Sequence, residues 1–170
     1  YTNLVGGQDE LVFDGASFVL NNKGIVTQQL PSLIEALSFI EIIDHQPVNA
    51  DIAPKLSLEA SVYNALKLGL ADYVNKNGFP SVVLGLSGGI DSALTLAIAV
   101  DALGAERVKV VMMSSEFTAS MSVDDAVEMA NLVGVKYSKI PIKNLFELFR
   151  ETLAPEFGDL PFDTTEENLQ

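Results

Sequence analysis

From Ser81 to Leu153 the chain alternates short apolar runs of strand length with segments of helical period. Strands are expected at 81–86, 108–113 and 136–140, and helices at 92–103, 122–133 and 143–153. Strand and helix in strict alternation, with short connections, bury their apolar faces best in an α/β fold built on a doubly wound parallel sheet. In such sheets ligands bind outside the carboxyl ends of the strands. The chain has 170 residues, 48% of them hydrophobic, so it can bury a full core.

The first fifty residues have a different character. Short alternating runs, "ELVFDG" and "ASFVLNNKGIV", read as β structure over residues 1–43. The "NNKG" between two of these runs is hairpin-turn chemistry, because Asn and Gly tolerate positive φ. Residues 44–57, "DHQPVNADIAPKLS", contain two prolines and no periodicity and read as a connector. Beyond it, Leu58, Val62, Leu66, Leu70 and Val74 recur about one helical turn apart, predicting a helix that ends at Gly78 and Pro80. The expected division is therefore 1–43, 44–57 and 58–170, with no internal repeat.

Charge and composition exclude several partners. With 23 Asp and Glu against 10 Lys and Arg, a net charge of −13 argues against nucleic acid. The chain has no cysteine, hence no disulfide framework, thiolate metal site or cysteine nucleophile of its own. No apolar run reads as a signal peptide or a membrane span, so the expected location is the cytoplasm, without a membrane partner.

The stretch "SVVLGLSGGIDSALTLAIAV" carries the chemistry. An apolar strand runs through residues 87–92 directly into an apolar helix, where backbone N–H groups have no helical partner. Gly88 and Gly89 allow close approach and unusual φ, Ser87 and Ser92 add hydroxyls, and the helix dipole adds partial positive charge. These features suit a polyphosphate. Asp91 is the exception: a carboxylate beside phosphate requires a cation between them, which assigns Asp91 to Mg²⁺. The lysine and spacing of the GxxxxGK[ST] loop are missing, and the stretch is not GxGxxG either.

"SGGIDS", residues 87–92, resembles the SGGxDS signature of ATP pyrophosphatases, an adenine nucleotide alpha hydrolase-like fold. The resemblance implies cleavage of ATP between the α and β phosphates, transfer of AMP to a substrate, and release of pyrophosphate. It adds Leu86, Ile90, Ala93, Leu94 and Met113 to the nucleotide-binding set, with adenine on backbone groups near Leu86 and Met113. Related loops serve GMP, asparagine, argininosuccinate and thiolated tRNA synthesis, and the loop alone does not choose among them.

Three further stretches narrow the choice. "NLVGGQDELVFDGASFVLNNKG", residues 3–24, resembles the closing part of the nitrilase-type glutaminase domain of glutamine-dependent NAD⁺ synthetases. "VMMSSEFTASMSVDDAVEMANLVGV", residues 111–135, is similar to those enzymes after the second strand, although Ser114, Ser115, Glu116 and Phe117 depart from the family's proline-containing turn. "DTTEENLQ", residues 163–170, resembles a segment reaching toward the dinucleotide, which implies substrate binding by Asn168 and Gln170. The implied reaction is amidation of deamido-NAD⁺ to NAD⁺ through an adenylate, with ATP, Mg²⁺ and glutamine or ammonia, by a homo-oligomeric full-length protein. A nucleotide-binding module without activity, or another enzyme of the signature such as GMP synthetase, is the alternative.

On this resemblance residues 1–43 are the end of a glutaminase domain and 58–170 the first part of a synthetase domain. The glutaminase's Glu, Lys and Cys would precede Tyr1, and the family's arginines and a second metal carboxylate would follow Gln170. The 170-residue chain is thus expected to bind ATP weakly and to catalyse nothing alone. Other polar residues have ordinary explanations: His45 as a solvated connector residue, Asp9, Glu10 and Asp14 as strand-end and turn residues, and Asp124, Asp125 and Glu128 as acids behind an N-capping Ser122. Phe146, Leu148 and Phe149 read as core. Glu166 and Glu167 fit a solvated run or a metal or substrate role equally.

Overall fold

The computed structural model describes residues 1–114 and 120–158, without the side chains of 120, 121 and 157. The chain forms two compact units, one ending at Pro80 and one beginning at Ser81.

The first unit is built from hairpins and one helix. β1 (Val5–Gln8) and β2 (Leu11–Asp14) pair antiparallel around a turn at Asp9 and Glu10, where Asp9 takes φ 51°. β3 (Phe18–Leu20) pairs with β4 (Val26–Gln29) around the expected "NNKG" turn. There Asn21 Oδ1 accepts from the N–H groups of Lys23 and Ile25 at 2.9 and 3.0 Å, and Gly24 supplies φ +72°. A third hairpin was not expected. β5 (Ile42–Ile43) and β6 (Gln46–Pro47) enclose Asp44 and His45, both at positive φ, so regular structure crosses the start of the stretch read as a connector. Positive φ at both central residues is the hairpin requirement, and here it is met without the glycine that would have signalled it. His45 is exposed at the tip, while Asp9 and Glu10 lie in their turn and Asp14 ends β2.

α1 (Leu58–Lys76) begins at Ser57, whose Oγ accepts from the Ala60 N–H at 3.2 Å. It ends where expected, by a double cap: the Gly78 N–H donates to Asn75 C=O and the Phe79 N–H to Val74 C=O, both at 3.0 Å, with Gly78 at φ +70°. This is the left-handed glycine termination, and the Tyr73 and Phe79 rings, 6.1 Å apart, supply its apolar contact. The expected stripe is buried only in its second half: Val74 is enclosed and Leu70 half-buried, whereas Leu58, Val62 and Leu66 are exposed. The helix packs on β1 and β2, with Gly69 at the close approach. Spacing by four drifts around the helix, and the true contact is set by small size: a Cβ on Gly7 would lie 3.0 Å from Gly69 Cα.

That close approach brings two polar side chains onto the hairpin edge. The Gly15 N–H donates to Leu4 C=O at 2.8 Å, which places Leu4, Gly6 and Gln8 in the set bonded to β2 and turns the N–H and C=O of Gly7 outward. Asp72 Oδ2 accepts from the Gly7 N–H at 2.6 Å, and Lys76 Nζ donates to Gly7 C=O at 2.7 Å and to Asp72 at 3.0 Å. The Gly7 N–H, with help from the Lys76 ammonium, holds the Asp72 carboxyl below the usual carboxylate range.

In the second unit β7 (Val82–Gly85), β8 (Val108–Met112) and β9 (Lys136–Lys139) form a parallel sheet in the order β7-β8-β9. This is the expected α/β architecture. α2 (Ile90–Leu103) and α3 (Ser120–Val133) touch each other and both touch β8, so they cover the same face. Alternation along β8 directs Val108, Val110 and Met112 into that layer, against Leu96, Ala99, Ala126 and Ala130. Truncating a fully buried leucine such as Leu96 to alanine costs about 2–5 kcal/mol. α4 (Lys143–Phe157) buries Phe146, whereas Leu148 and Phe149, expected in the core, are more than half exposed. Leu148 lies about 200° round the helix from Phe146, whereas Phe149, three residues on, shares the Phe146 side and borders it.

The Asp72 clamp predicts a pH dependence. Because folding lowers this pKa, the stabilisation is complete above the unfolded value, about 3.9, and is lost as pH falls through the lower folded value. Asp72→Asn is expected to cost about 1–2 kcal/mol at pH 7, and the difference from the parent should shrink toward zero near pH 2–3, as read by urea unfolding at both pH values.

Candidate functional site

The strand-to-helix loop owes its shape to how β7 ends. The Leu86 N–H donates to Val111 C=O at 2.9 Å, one residue beyond β7, so the ladder holds the chain up to the edge of the loop. Leu86 itself is buried, and any reading of a base edge there falls to its carbonyl. The chain then leaves the sheet at Ser87, and α2 starts at Ile90 with Gly89 as N-cap.

The loop is tied by hydroxyls. Ser92 Oγ accepts from the Ser87 N–H at 3.2 Å, lies 3.0 Å from Ser87 Oγ and donates to Gly89 C=O at 3.0 Å. Ser87 Oγ in turn accepts from the Gly89 N–H at 3.2 Å. The two serines singled out from the sequence are thus a bonded pair that closes the loop. The first intrahelical bond is from Ala93 N–H to Gly89 C=O at 3.1 Å, so the N–H groups of Ile90, Asp91 and Ser92 have no intrahelical acceptor. Together with a helix dipole equivalent to roughly half a positive charge, these amides form a cradle for an anion.

The two glycines are there for different reasons. Gly88 takes φ +83°, and a Cβ there would strike the backbone of Ser122, 2.8 Å from its Cα and closer still to its carbonyl oxygen. Gly89 has ordinary extended backbone at φ −85°, and among the described residues its Cβ would meet only Ser87 Oγ, at 3.4 Å. Contacts with the described residues therefore demand glycine at 88, while at 89 they leave open space.

Asp91 is exposed in the first turn of α2, with its backbone carbonyl accepting from Thr95 Oγ1 at 2.8 Å. No group of three or more His, Cys, Asp or Glu converges among the described residues. A single carboxylate fits Mg²⁺ nonetheless, because this ion keeps several waters and takes its other ligands from substrate phosphates. Ile90 and Leu94 are exposed beside the loop, and Ala93 is half-buried below it. The Met113 side chain is exposed at the end of β8, with its Cε 3.8 Å from where a Gly85 Cβ would stand, so it lies over β7 near the loop.

Ser122 is the contact that sequence reasoning missed. It was expected to cap α3, but the helix starts at Ser120, so Ser122 is its third residue and bears on the loop through its main chain. Asp124 and Asp125 consequently sit beyond the first turn and do not complement the helix start as expected. A main-chain contact has no side-chain signature, so nothing in the sequence marks it. Ser115, Glu116, Phe117, Glu166, Glu167, Asn168 and Gln170 lie outside the described residues. No helix among the described residues is long and apolar enough to cross a membrane.

Comparison with known proteins places this geometry in context. The sequence pattern of the family described as NAD synthase matches residues 62–170. The whole chain aligns at 49% identity with 32% of the glutamine-dependent NAD(+) synthetase of Acinetobacter baylyi. It aligns at 46% identity with 32% of the enzyme of the same name from Rhodobacter capsulatus. Among solved structures, the glutamine-dependent NAD+ synthetase of Acinetobacter baumannii in complex with adenosine diphosphate superposes with a TM-score of 0.95 at 50% identity, over 99% of this chain and 32% of its own. The chain thus spans about a third of the length of the relatives it matches.

The contrast between the glycines is testable by thermal unfolding. Gly88→Ala is expected to destabilise the second unit by about 1–3 kcal/mol through strained φ and overpacking. Gly89→Ala should stay within about 0.5 kcal/mol of the parent.

Proposed function

The chain belongs to the NAD synthase family, and from that premise we propose that the full-length protein is a ligase that amidates deamido-NAD⁺ to NAD⁺, using ATP and ammonia taken from glutamine. The nicotinate carboxylate attacks the α-phosphorus of ATP; the new O–P bond forms as the Pα–O bond to the β-phosphate breaks, and pyrophosphate leaves with the electron pair. Ammonia then attacks the acyl carbon, AMP leaves as the C–O bond breaks, and the nitrogen loses its surplus proton to solvent.

The observation that carries this reading is the loop of residues 87–92, with outward amides at the start of α2 and open space at Gly89. Negative charge grows on the departing pyrophosphate, and fixed N–H and O–H donors stabilise it most where they need not reorient. The hydroxyl pair and the ladder bond at Leu86 fix those donors in advance. In the proposed site Ser87, Gly88, Gly89 and Ser92 hold the β and γ phosphates, and Ile90, Ala93 and Leu94 belong to the helical turn that presents the amides. Asp91 holds Mg²⁺, which when bound neutralises phosphate charge that the carboxylate would otherwise repel.

Adenine rests on the Leu86 carbonyl and the main chain of Met113, with the Met113 side chain offering an apolar surface beside it. Asn168 and Gln170 reach the dinucleotide. Residues 1–43 close a glutaminase domain, 44–57 connect, and 58–170 open the synthetase domain. The full-length protein works in the cytoplasm as a homo-oligomer, without nucleic acid or membrane partners.

The test uses the full-length protein and follows ATP conversion to AMP and pyrophosphate, which should require deamido-NAD⁺ and a nitrogen source. Gly89→Val should lower ATP affinity and turnover by on the order of a hundredfold or more, since its side chain enters the space left for phosphate. Asp91→Asn should lose turnover to a comparable degree and respond weakly to added Mg²⁺. Unchanged ATP affinity in Gly89→Val would remove the loop from the mechanism, and AMP release without deamido-NAD⁺ would overturn the ligase assignment.

A further inference from the structure

Sequence and packing divide the chain at different places. The NAD synthase pattern begins at residue 62, inside α1, whereas the compact unit that contains α1 ends at Pro80. By sequence most of α1 belongs to the synthetase region, and by packing it belongs with the β1–β2 hairpin that precedes that region. Helix and hairpin meet where side chains are missing. A Cβ on Gly7 would lie 3.0 Å from Gly69 Cα and 3.3 Å from Asp72 Cβ, and one on Gly69 would lie 3.2 Å from Val12 Cγ2. Gly6, at φ +143°, is as confined: a Cβ there would lie 2.9 Å from Asp72 Oδ2. Glycine at all three positions keeps α1 against the hairpin.

Asp72 and Lys76 use that closeness. The carboxylate takes the Gly7 N–H and the ammonium takes the Gly7 C=O, so the helix is registered against main-chain atoms that no rotamer change can move. As an ion pair, with side chains 25% and 54% exposed, Asp72 and Lys76 add little stability by their mutual attraction. Their bonds to Gly7 instead fix where α1 sits. With residues 1–43 closing a glutaminase domain and 58–170 opening a synthetase domain, Gly7 and α1 stand on opposite sides of that division. Ammonia set free by one half is used by the other only while the two keep one geometry. Taking the ligase reading as premise and deepening it, we propose that Asp72 and Lys76 are positioning residues that couple glutamine hydrolysis to amide formation, by holding the first helix of the synthetase to the closing hairpin of the glutaminase.

The test compares nitrogen sources in the full-length protein, with NAD⁺ and glutamate both measured. Two variants are used, Asp72→Ala and the milder Lys76→Met, which removes only the more exposed partner. Turnover with ammonium chloride should stay within about twofold of the parent, while NAD⁺ formation from glutamine falls on the order of tenfold and glutamate released per NAD⁺ rises by a similar factor. Lys76→Arg, which keeps a charged donor, should restore the parent's ratio. A merely structural role would lower turnover with both nitrogen sources in proportion and leave glutamate per NAD⁺ unchanged. That result would overturn the proposal, and so would full glutamine-driven activity in both variants. A parent protein that makes no NAD⁺ from ammonium chloride would instead remove the ligase reading itself, and the coupling with it.

Discussion

Parallel pairing of β7 with β8 governs the geometry of the loop. The ladder runs from Val82 opposite Val108 to Gly85 opposite Val111, and Leu86 adds one more bond. Both strands consequently end at the same level, so the chain leaving β7 and the helix entered after β8 meet at one edge. The contact of Gly88 with Ser122 follows from that shared ending, as does the placement of Met113 over Gly85. A register slip of one residue would turn Leu86 outward and Val83 inward, losing both the core layer and the alignment of the amides.

How much of this was legible in the sequence depended on whether the signal was local. The strands and helices from Ser81 onward lie within two residues of their expected starts, because period and turn chemistry are written in neighbouring residues. The end of α1 at Gly78 was legible for the same reason. What was not legible depended on partners distant in sequence. The close approach of α1 is made by Gly69 meeting Gly7, which the stripe does not mark although its Val74 is buried, and the Ser122 contact is made by main-chain atoms. The hairpin at Asp44 and His45 escaped notice because it uses residues that tolerate left-handed backbone without advertising it. The serines of the loop were recognised as donors to a ligand, yet their bonding to each other emerged only in three dimensions.

The first unit illustrates a different use of polar side chains. An edge strand leaves N–H and C=O groups open to pairing with another chain. At Gly7 both groups are taken by a carboxylate and an ammonium four residues apart on one helix, so α1 stands in for a neighbouring strand at that point. The arrangement works only because glycine at 7 and 69 lets the helix come close enough, which ties a feature of charge to one of size.

Gly88 has a consequence for genetics. The obstacle to any larger residue there is the main chain of Ser122, and main chain cannot be trimmed by substitution. Changing Ser122 to a smaller residue would leave the obstructing atoms in place, so a screen for second-site suppressors of a Gly88 variant should yield true revertants at codon 88 and no compensating change at codon 122.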